Sequence, residues 1–379
     1  MRFVSLRLKD YRNFSDLRVA FSPRLNIFLG DNGQGKTNLL EALHLLTQGD
    51  SFRFSDNSTL IRHGAGESLV EGVIERRDLE YKVRTTLLKS RKSFQLNEKK
   101  ATSPDIRKLF PSVAFSPESL SAIKEGADQR RELIDDFLVT HLPANADLIA
   151  EYRRALRARN RLLKEWPDLV DAGAKTRLLA VLESLNPGFL RLAAELTHAR
   201  LQGLREIAEP FRESFRGIMM NSTVDISVDY VVSGQSARNF TREMVDDALR
   251  QRALELHDAE LGSGTSLVGP HKHDITFLYN QKDSRFFCSQ GQQRAIILAF
   301  KMAQIVYHGR VHGLYPVLML DDVLSELDSS RRSALISFLH EIKTQVFLTT
   351  TDLTLPECFA QDHPSVIRIA DGQVLTGAE

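Results

Sequence analysis

The sequence Gly30-Asp31-Asn32-Gly33-Gln34-Gly35-Lys36-Thr37 decides the fold of this chain. The apolar segment Leu25–Leu29 precedes it, and a helical pattern with leucines on one face follows it. This order matches the phosphate-binding loop G-x-x-x-x-G-K-[ST], in which a strand ends in a glycine-rich turn that opens a helix. The glycines let backbone N–H groups converge on phosphates, and the helix N-terminus adds a favourable potential for an anion. The sequence therefore predicts a P-loop nucleotide site.

Two side chains of this loop are predicted to carry its chemistry. Lys36 is expected to reach the β and γ phosphates, and the Thr37 hydroxyl to ligate Mg²⁺. The other predicted nucleotide contacts in this segment are Gly30, Asp31, Asn32, Gly33, Gln34, Gly35 and Asn38. The alternative interpretation is a glycine-rich turn without a ligand, and the flanking strand and helix disfavour it.

A second motif is Pro316-Val317-Leu318-Met319-Leu320-Asp321-Asp322, an apolar strand that ends in two acids. Asp321 is predicted to hold the metal, and Asp322 to polarise the attacking water. Alone the motif is weak, because buried strands often end in an Asp that caps a helix. Ser325-Glu326-Leu327-Asp328 follows it, and this sequence is typical of the D-loop of ABC ATPases.

A third motif, Ser289-Gln290-Gly291-Gln292-Gln293-Arg294, opens an apolar helix. In ABC ATPases a Ser-x-Gly-Gln-type signature at a helix N-terminus binds the γ-phosphate of ATP held by the other subunit. A hydroxyl, backbone amides and a helix dipole together suit an anion. We therefore predict that Ser289, Gly291 and Gln292 contact nucleotide. The alternative is an N-cap serine on an ordinary buried helix.

Composition excludes several classes of protein. The net charge is only +1, so any nucleic-acid surface must be a local concentration of Lys and Arg. Cys288 and Cys358 are too few for a disulfide framework or a zinc site. No signal peptide is recognisable, and the longest apolar runs are far shorter than a membrane span. We therefore expect a soluble, cytoplasmic protein without membrane partners.

The predicted elements place α/β regions at both ends of the chain. Strands are predicted at 3–8, 17–21, 25–29, 69–74, 81–88, 224–232, 277–279, 317–320 and 345–349. Helices are predicted from 35, at 243–256, from 290 to about 308 and from 329 to about 342. Residues 130–215 have a helical pattern that Pro167, Pro187 and Pro210 are predicted to break into segments of roughly 20 to 30 residues. The predicted fold is an α/β, ABC-type ATPase head (P-loop NTPase) in two lobes. Residues 1–130 and 261–379 are assigned to the ATPase lobe, and residues 131–260 to an inserted helical lobe.

Further blocks resemble the RecF family of bacterial DNA replication and repair proteins. Residues 3–13 look like its opening strand and Arg-Asn-Phe turn, and the insertion between Lys36 and Ser289 is intermediate in length, as in that family. The other similar blocks are Phe115-Ser116-Pro117-Glu118, Arg130-Arg131-Glu132-Leu133-Ile134-Asp135 and the threonines Thr349-Thr350-Thr351, where other ABC ATPases keep a switch His. The resemblance spans essentially the whole chain.

Two positions depart from the family pattern. Phe52 in Ser51-Phe52-Arg53 stands where the family has a histidine. His273 in Gly269-Pro270-His271-Lys272-His273-Asp274 replaces the first acid of the family's Gly-Pro-His-Arg-Asp-Asp block. His271 and His273 could also suggest a metal site, but no Cys or suitably spaced acid accompanies them.

The resemblance implies functions that the composition does not. It implies an ATP-dependent homodimer that binds DNA at gaps and at junctions of single-stranded and double-stranded DNA. It also implies slow, DNA-stimulated ATP hydrolysis and cooperation with RecR and RecO in loading RecA, within replication, recombinational repair and the SOS response to DNA damage.

Two basic clusters are candidate DNA contacts. Arg153, Arg157, Arg161 and Lys164 lie at i, i+4, i+8 and i+11, which places them on one face of a helix. Lys89, Arg91, Lys92, Lys99 and Lys100 lie near a predicted hairpin. Such clusters can line phosphates by charge alone, but either could be a solvated surface.

These motifs support one hypothesis over two rivals. Each site of a head-to-tail dimer would combine the P-loop, Asp321 and Asp322 of one protomer with Ser289 of the other, and Lys36, Asp322 and Ser289 would be catalytic. Asp322 is one methylene shorter than the Glu of most ABC ATPases, which suits a slow timer. A structural DNA tether of the SMC type would need a long uninterrupted coil and a hinge. A transporter ATPase would need a Leu-Ser-Gly-Gly-Gln signature, a catalytic Glu and a switch His.

Overall fold

The computed structural model describes residues 1–53, 55–219, 224–352 and 364–375, and the chain divides into two units. Unit 1 comprises Met1–Ser121, Glu213–Ser222 and Gln290–Glu379, and unit 2 comprises Ala122–Arg212 and Thr223–Ser289. Unit 1 is therefore built from both ends of the sequence. The assignment of lobes to residues 1–130, 131–260 and 261–379 stays a prediction.

One sheet of unit 1 carries the glycine-rich loop. Its strands are β3 (Leu25–Leu29), β8 (Ser112–Phe115), β13 (Val317–Leu320), β14 (Val346–Thr350), β15 (Ser365–Ala370) and β16 (Gln373–Leu375), in the order β16-β15-β3-β14-β13-β8. All adjacent pairs are parallel except β15 with β16. Every side chain of β13 is buried, as expected for a strand covered on both faces. The carboxyl ends of β3, β14 and β13 therefore meet at one edge of the sheet.

The second sheet of unit 1 is antiparallel. Its strands are β1 (Arg2–Tyr11), β2 (Phe14–Ala20), β4 (Glu67–Arg76), β5 (Leu79–Leu88), β6 (Arg91–Leu96) and β7 (Lys99–Ala101), in the order β2-β1-β4-β5-β6-β7. In β1, Leu6 and Leu8 are buried and Lys9 is exposed, which is the alternation of a sheet with one covered face.

Helices of unit 1 complete its core. They are α1 (Lys36–Gln48), α2 (Asn57–Leu60), α3 (Ser103–Leu109), α4 (Pro117–Leu120), α11 (Gln290–His312) and α12 (Ser329–Glu341). In α1 the predicted leucines Leu39, Leu40, Leu43 and Leu46 are all buried, within a hydrophobic cluster that includes Phe3 and Phe347 of both sheets. This packing fixes the helix whose first residue is Lys36.

Unit 2 is mainly helical. Its elements are α5 (Ala127–His141), α6 (Ala144–Glu165), most of α7 (Ala172–Met219), α8 (Arg242–Glu255), α9 (His257–Ser263), α10 (Ser284–Phe287) and the sheet β10-β9-β11-β12, formed by β9 (Ile226–Val232), β10 (Gln235–Ser236), β11 (Asp274–Tyr279) and β12 (Lys282–Asp283). The predicted strand at 224–232 and helix at 243–256 are confirmed within two residues at each end.

The expectation that Pro187 and Pro210 end helices is wrong. Both lie inside α7, which runs unbroken for 48 residues. A proline inside a helix removes one backbone hydrogen bond and costs about 3 kcal/mol. The long buried face of α7, which includes Phe189, Ile207 and Phe211, offsets that cost.

No helix in the described part of the chain is long and apolar enough to span a membrane. Cys358, one of the two cysteines, lies outside the described residues.

Candidate nucleotide-binding site

The loop between β3 and α1 has a shape that its glycines impose. A Cβ on Gly30 would lie 2.3 Å from the Ile369 carbonyl oxygen of β15. Gly35 has φ 113°, and a Cβ there would lie 2.6 Å from Asn13 Nδ2. A side chain at either position would displace the loop. The predicted strand, glycine-rich turn and helix are therefore all present, and α1 begins at Lys36.

Lys36 is held over the loop by backbone carbonyls. Its Nζ donates to Gly30 O at 2.5 Å and to Asp31 O at 2.8 Å. The side chain is buried, and burial lowers the pKa of its ammonium group, while Asp322, Asp321 and Asp31 raise it in smaller measure. Neutral carbonyls leave the positive charge of the ammonium available to an anion.

Asn13 braces the loop in a way that sequence reasoning missed. Its Nδ2 donates to Gln34 O at 2.9 Å, and its Oδ1 accepts from Asn38 Nδ2 at 2.8 Å. The Gln34 side chain in turn accepts from the backbone N–H of Asp371 at 2.6 Å. The Arg-Asn-Phe turn was the available signal, because it is one of the blocks that resemble the RecF family. Asp31, Asn32 and Gly33 at the loop tip are exposed.

The two predicted acids follow β13 directly. Thr37 Oγ1 donates to Asp321 Oδ1 at 2.8 Å, so the first turn of α1 and the end of β13 meet. Asp321 is buried, and burial raises the pKa of its carboxyl, whereas hydrogen bonds from Thr37 and Thr349 oppose that rise. The structure thus brings together the predicted Lys36, Thr37, Asp321 and, next in the chain, Asp322.

Asp322 has an unusual backbone. Its φ is 50°, in the left-handed region that residues with a Cβ rarely adopt. Its backbone N–H donates to Thr349 Oγ1 at 2.8 Å, and its carbonyl oxygen accepts from Ser325 Oγ at 2.7 Å. Polar contacts therefore hold the residue on both sides.

The oxygen atoms at this edge of the sheet suit a magnesium ion. Mg²⁺ prefers oxygen ligands and usually takes one or two protein groups together with phosphates and water. The Thr37 hydroxyl and the Asp321 carboxylate are such a pair, 2.8 Å apart. Among the described residues no group of three or more His, Cys, Asp or Glu could hold a metal by itself. The residues therefore fit a metal that a phosphate helps to bind.

The signature segment precedes and opens α11. Ser289 is exposed immediately before the helix, and Gly291 and Gln292 in its first turn are partly exposed. Arg294 pairs with the D-loop residue Glu326 at 2.7 Å and donates to its carbonyl at 3.2 Å. A Cβ on Gly291 would lie 2.8 Å from Arg331 Nη1. The signature helix and the predicted D-loop are therefore linked within unit 1.

The Ser51-Phe52-Arg53 element lies near the site. Phe52, the first departure from the family pattern, packs edge-on against His44 of α1, with ring centroids 5.4 Å apart. Ser51 donates to the buried Glu41 of α1, which also receives two hydrogen bonds from Arg12. Arg53 is exposed, and its charge is a minor cause that lowers the Asp321 pKa.

The basic stripe of α6 is exposed in unit 2. Arg153, Arg157, Arg161 and Lys164 are all exposed, and the opposite face buries Ile149, Tyr152 and Leu163. Arg159, in the same basic run, is buried instead and pairs with Glu260 at 2.7 Å. It therefore stabilises unit 2 and cannot reach a ligand.

The second basic cluster lies in unit 1 along β5, β6 and β7. Lys89, Arg91, Lys99 and Lys100 are exposed. Lys92 forms an ion pair with Asp50, which also pairs with Arg107. Lys92 is therefore less available to a phosphate than its neighbours.

Comparison with known proteins identifies the family of this chain. The model of the family described as "RecF/RecN/SMC N terminal domain" matches residues 3–368. Proteins called "DNA replication and repair protein RecF" from Lactobacillus johnsonii and Heliobacterium modesticaldum are 32% and 33% identical, with 99% of each chain covered. The chain belongs to the RecF family. Solved structures agree. A RecF-ATP structure, described as that of a recombination mediator protein in the RecFOR pathway, is 27% identical to this chain and superposes on it with a TM-score of 0.86. The match covers 99% of this chain and 97% of that one.

The head of an Smc protein derived from Pyrococcus furiosus shows the same fold at 17% identity, with a TM-score of 0.53 and coverage of 98% of this chain and 95% of that one. The predicted fold class, an α/β ABC-type ATPase head, is therefore confirmed, and so is the resemblance to RecF.

The second departure of this RecF-family chain lies in a buried network of unit 2. His273 is buried, with its Nδ1 3.0 Å from Tyr230 Oη. Both ring nitrogens of His271 are engaged, at 2.6 Å from Tyr152 Oη and 3.0 Å from Ser266 O. Burial lowers the pKa of His271 to about 4 and that of His273 to about 3. Both rings are therefore neutral at pH 7, and both hold unit 2 together through hydrogen bonds, His273 from a buried position and His271 from a partly buried one.

Proposed function

We propose that this chain is an ATP-dependent DNA-binding clamp that acts in recombinational repair and replication. Supporting this, the relatives that match it end to end are called DNA replication and repair proteins, and similar solved structures are titled RecF-ATP. The observation that carries the proposal is the meeting of Lys36, Thr37, Asp321 and Asp322 at one edge of the parallel sheet. That edge is where open α/β sheets bind nucleotides.

Each residue has a task that its surroundings explain. The Lys36 ammonium and the loop N–H groups would bind the β and γ phosphates. Thr37 and Asp321 would hold Mg²⁺, which when bound neutralises charge on phosphate oxygens. Asp322, partly exposed beside them, would orient and polarise the attacking water. Hydrolysis would then open the clamp.

The nucleotide is proposed to close a homodimer. Ser289 is exposed at the start of α11, where its hydroxyl and the helix amides can receive a phosphate of a second protomer. Phe286 and Phe287, just before it, are 76% and 64% exposed. Adjacent large aromatic side chains at such exposure are typical of a surface that another protein covers. A second copy of the chain is the proposed cover.

Sedimentation and DNA affinity, measured with and without ATP, test this proposal. We expect the wild type to dimerise and to bind gapped DNA more tightly with ATP. Lys36→Arg and Ser289→Ala should each lose this response, the first through its own nucleotide and the second through the partner's. A wild type that stays monomeric with ATP and binds DNA equally well without it contradicts the clamp.

Phe286→Ala with Phe287→Ala sharpens the dimer test. We expect the ATP-dependent dimer to dissociate about tenfold more readily, because two apolar contacts are lost. Leu254→Ala is the matched control, since Leu254 is 82% exposed in the same unit but far along the chain from Ser289. Equal dimerisation of the double variant and the control would remove the aromatic pair from the interface.

Slow turnover is proposed to follow from the short Asp322 side chain. We expect Asp322→Glu to raise the single-turnover hydrolysis rate, because the longer side chain brings the carboxylate nearer to the water. An unchanged or lower rate removes this explanation. DNA is proposed to stimulate the same step, which a rate comparison with and without gapped DNA measures.

The α6 stripe is the proposed DNA contact of unit 2, and Lys89, Arg91 and Lys92 are the proposed contact of unit 1. The double variant Arg157→Ala with Arg161→Ala should bind DNA of every sequence more weakly. The slope of log affinity against log salt concentration should become less steep by about 1.8, because each lost phosphate contact contributes about 0.9. Arg177→Ala, an exposed arginine outside the stripe, is the control. An unchanged salt slope in the double variant would show that the stripe is a solvated surface and does not contact DNA.

The proposed function also requires protein partners. RecR and RecO are proposed to act with the clamp to load RecA at gaps. Pull-down with purified RecR, in the presence and absence of ATP and gapped DNA, would show whether the nucleotide state of this chain controls the contact. Binding that ignores both ligands would contradict a clamp that signals through its nucleotide.

A further inference from the structure

Thr349 is hydrogen-bonded to both acids of the proposed nucleotide site. It lies near the end of β14, the strand between the P-loop strand β3 and the strand β13 that ends at the two acids. Its side chain is buried. The Oγ1 atom donates to Asp321 Oδ1 at 3.0 Å and accepts from the backbone N–H of Asp322 at 2.8 Å.

These two bonds use the hydroxyl in opposite directions. A hydroxyl has one proton to donate and lone pairs that accept. The proton of Thr349 points at the Asp321 carboxylate, and a lone pair receives the amide of the next residue. One atom thereby fixes the side chain of Asp321 and the backbone of Asp322 together.

The backbone of Asp322 has particular need of this contact. Its φ of 50° is disfavoured for a residue with a Cβ, so the surrounding structure must hold it. Ser325 Oγ binds the Asp322 carbonyl from the D-loop side, and Thr349 binds the amide from the β14 side. The direction in which the Asp322 carboxylate leaves the chain depends on that conformation.

We propose that Thr349 is a positioning residue that sets the metal-holding acid and the water-orienting acid with a single hydroxyl. This inference rests on the proposed ATP site. It assigns a task to a threonine near the position where other ABC ATPases keep a switch His, through contacts made to the acids and not to the nucleotide. The bond from Thr37 reaches the same Oδ1, so a change at Thr349 is transmitted to the ligand side of Asp321.

The test compares four variants in the full-length chain. Thr349→Val removes the hydroxyl and keeps the shape, Thr349→Ala removes the hydroxyl with less bulk, and Thr349→Ser keeps the hydroxyl. Thr350→Val is the matched control, because the adjacent Thr350 Oγ1 donates to Asp352 O and not to either acid. Nucleotide affinity without Mg²⁺, the Mg²⁺ concentration for half-maximal hydrolysis, the hydrolysis rate and the melting temperature are measured for each.

We expect the two hydroxyl-free variants to hydrolyse ATP about 10 to 100 times more slowly and to need several times more Mg²⁺. Their nucleotide affinity without Mg²⁺ should stay within about twofold of the wild type, because Lys36 and the loop are unchanged. Thr349→Ser should restore both the rate and the Mg²⁺ response, and Thr350→Val should behave as the wild type.

Other outcomes overturn the inference. A wild-type rate and Mg²⁺ response in Thr349→Val or Thr349→Ala, or a Thr349→Ser as slow as Thr349→Val, shows that the hydroxyl does not position the acids. Loss of Mg²⁺-free nucleotide affinity in step with the melting temperature assigns Thr349 to folding alone. A wild type that binds no ATP fails differently, because it overturns the proposed function itself.

Discussion

Buried charges are satisfied in two different ways in this molecule. In unit 2, Arg200 makes two bonds to Asp135, at 2.8 and 2.9 Å, and a third to the Pro270 carbonyl at 2.8 Å. Arg159 likewise binds Glu260, with further bonds to Ser266 and Asn186. Arg200 and Arg159 therefore each face a buried anion, and their contacts are complete without a ligand.

The sheet edge of unit 1 holds its charges with neutral groups. Lys36 donates to two carbonyls, and Asp321 accepts from two hydroxyls. None of the ion pairs found among the described residues includes either side chain. Buried charges that form no ion pair cost stability, and such charges are concentrated at functional sites. The difference separates a network that stabilises a fold from one that is ready for a charged ligand.

The largest effect that tests this comparison is on stability. Arg200→Ala should lower the free energy of unfolding by about 3–5 kcal/mol, because Asp135 would be left buried without its partner. Arg153→Ala is the matched control: Arg153 is 58% exposed and 3.9 Å from the same Asp135, so its loss should cost less than about 1 kcal/mol. Urea denaturation of both variants measures the difference. Equal losses would mean that burial does not distinguish the two contacts.

The opposite pattern is expected at the sheet edge. Asp321→Asn should slow hydrolysis at least about 100-fold, because the charge that is proposed to hold the metal is gone. Burial raises the pKa of Asp321, so its ionised form opposes folding at neutral pH, and the variant should be as stable as the wild type or more stable. The rate and the urea midpoint are measured on one preparation. A large loss of stability would place Asp321 with the structural network instead.

A smaller effect concerns pH and His273. The unfolded chain binds a proton near the ordinary pKa of 6.5, whereas the folded chain does not until about pH 3, so stability falls as pH drops below 6.5. His273→Gln keeps a hydrogen-bonding group without titrating, and should reduce the loss of stability between pH 6.5 and 4 by on the order of 2 kcal/mol. Urea midpoints across that range measure it. If the urea midpoints of the variant and the wild type change in parallel with pH, burial does not keep the His273 ring neutral in the folded chain.

The sequence reveals the sheet edge far better than the unit 2 network. Lys36, Thr37, Asp321 and Asp322 were predictable because each follows or precedes a patterned strand or helix at a fixed spacing. The link from Thr349 to Asp321 was not, since it depends on the register of β14 against β13, which pairs Leu348 with Leu320. Pairing between strands distant in sequence leaves no local signal.

In unit 2 the sequence misleads for a related reason. Arg159 belongs to a basic run that favours a solvated or DNA-binding face, yet it is buried against Glu260, about a hundred residues later in the chain. Pro187 and Pro210 are local helix breakers, and the packing of α7 overrides them. Local preference decides such positions only when no distant contact outweighs it.

A mixing experiment tests most directly whether the site at the sheet edge is shared between two protomers. Lys36→Arg and Ser289→Arg chains, each nearly inactive alone, are combined and assayed for ATP hydrolysis. Only mixed dimers carry an intact site, one of two, so we predict a rate clearly above the mean of the two components and at most about half of the wild-type rate. Full hydrolysis by Ser289→Arg alone, or a mixture no faster than the mean of its components, would contradict a nucleotide held between two chains.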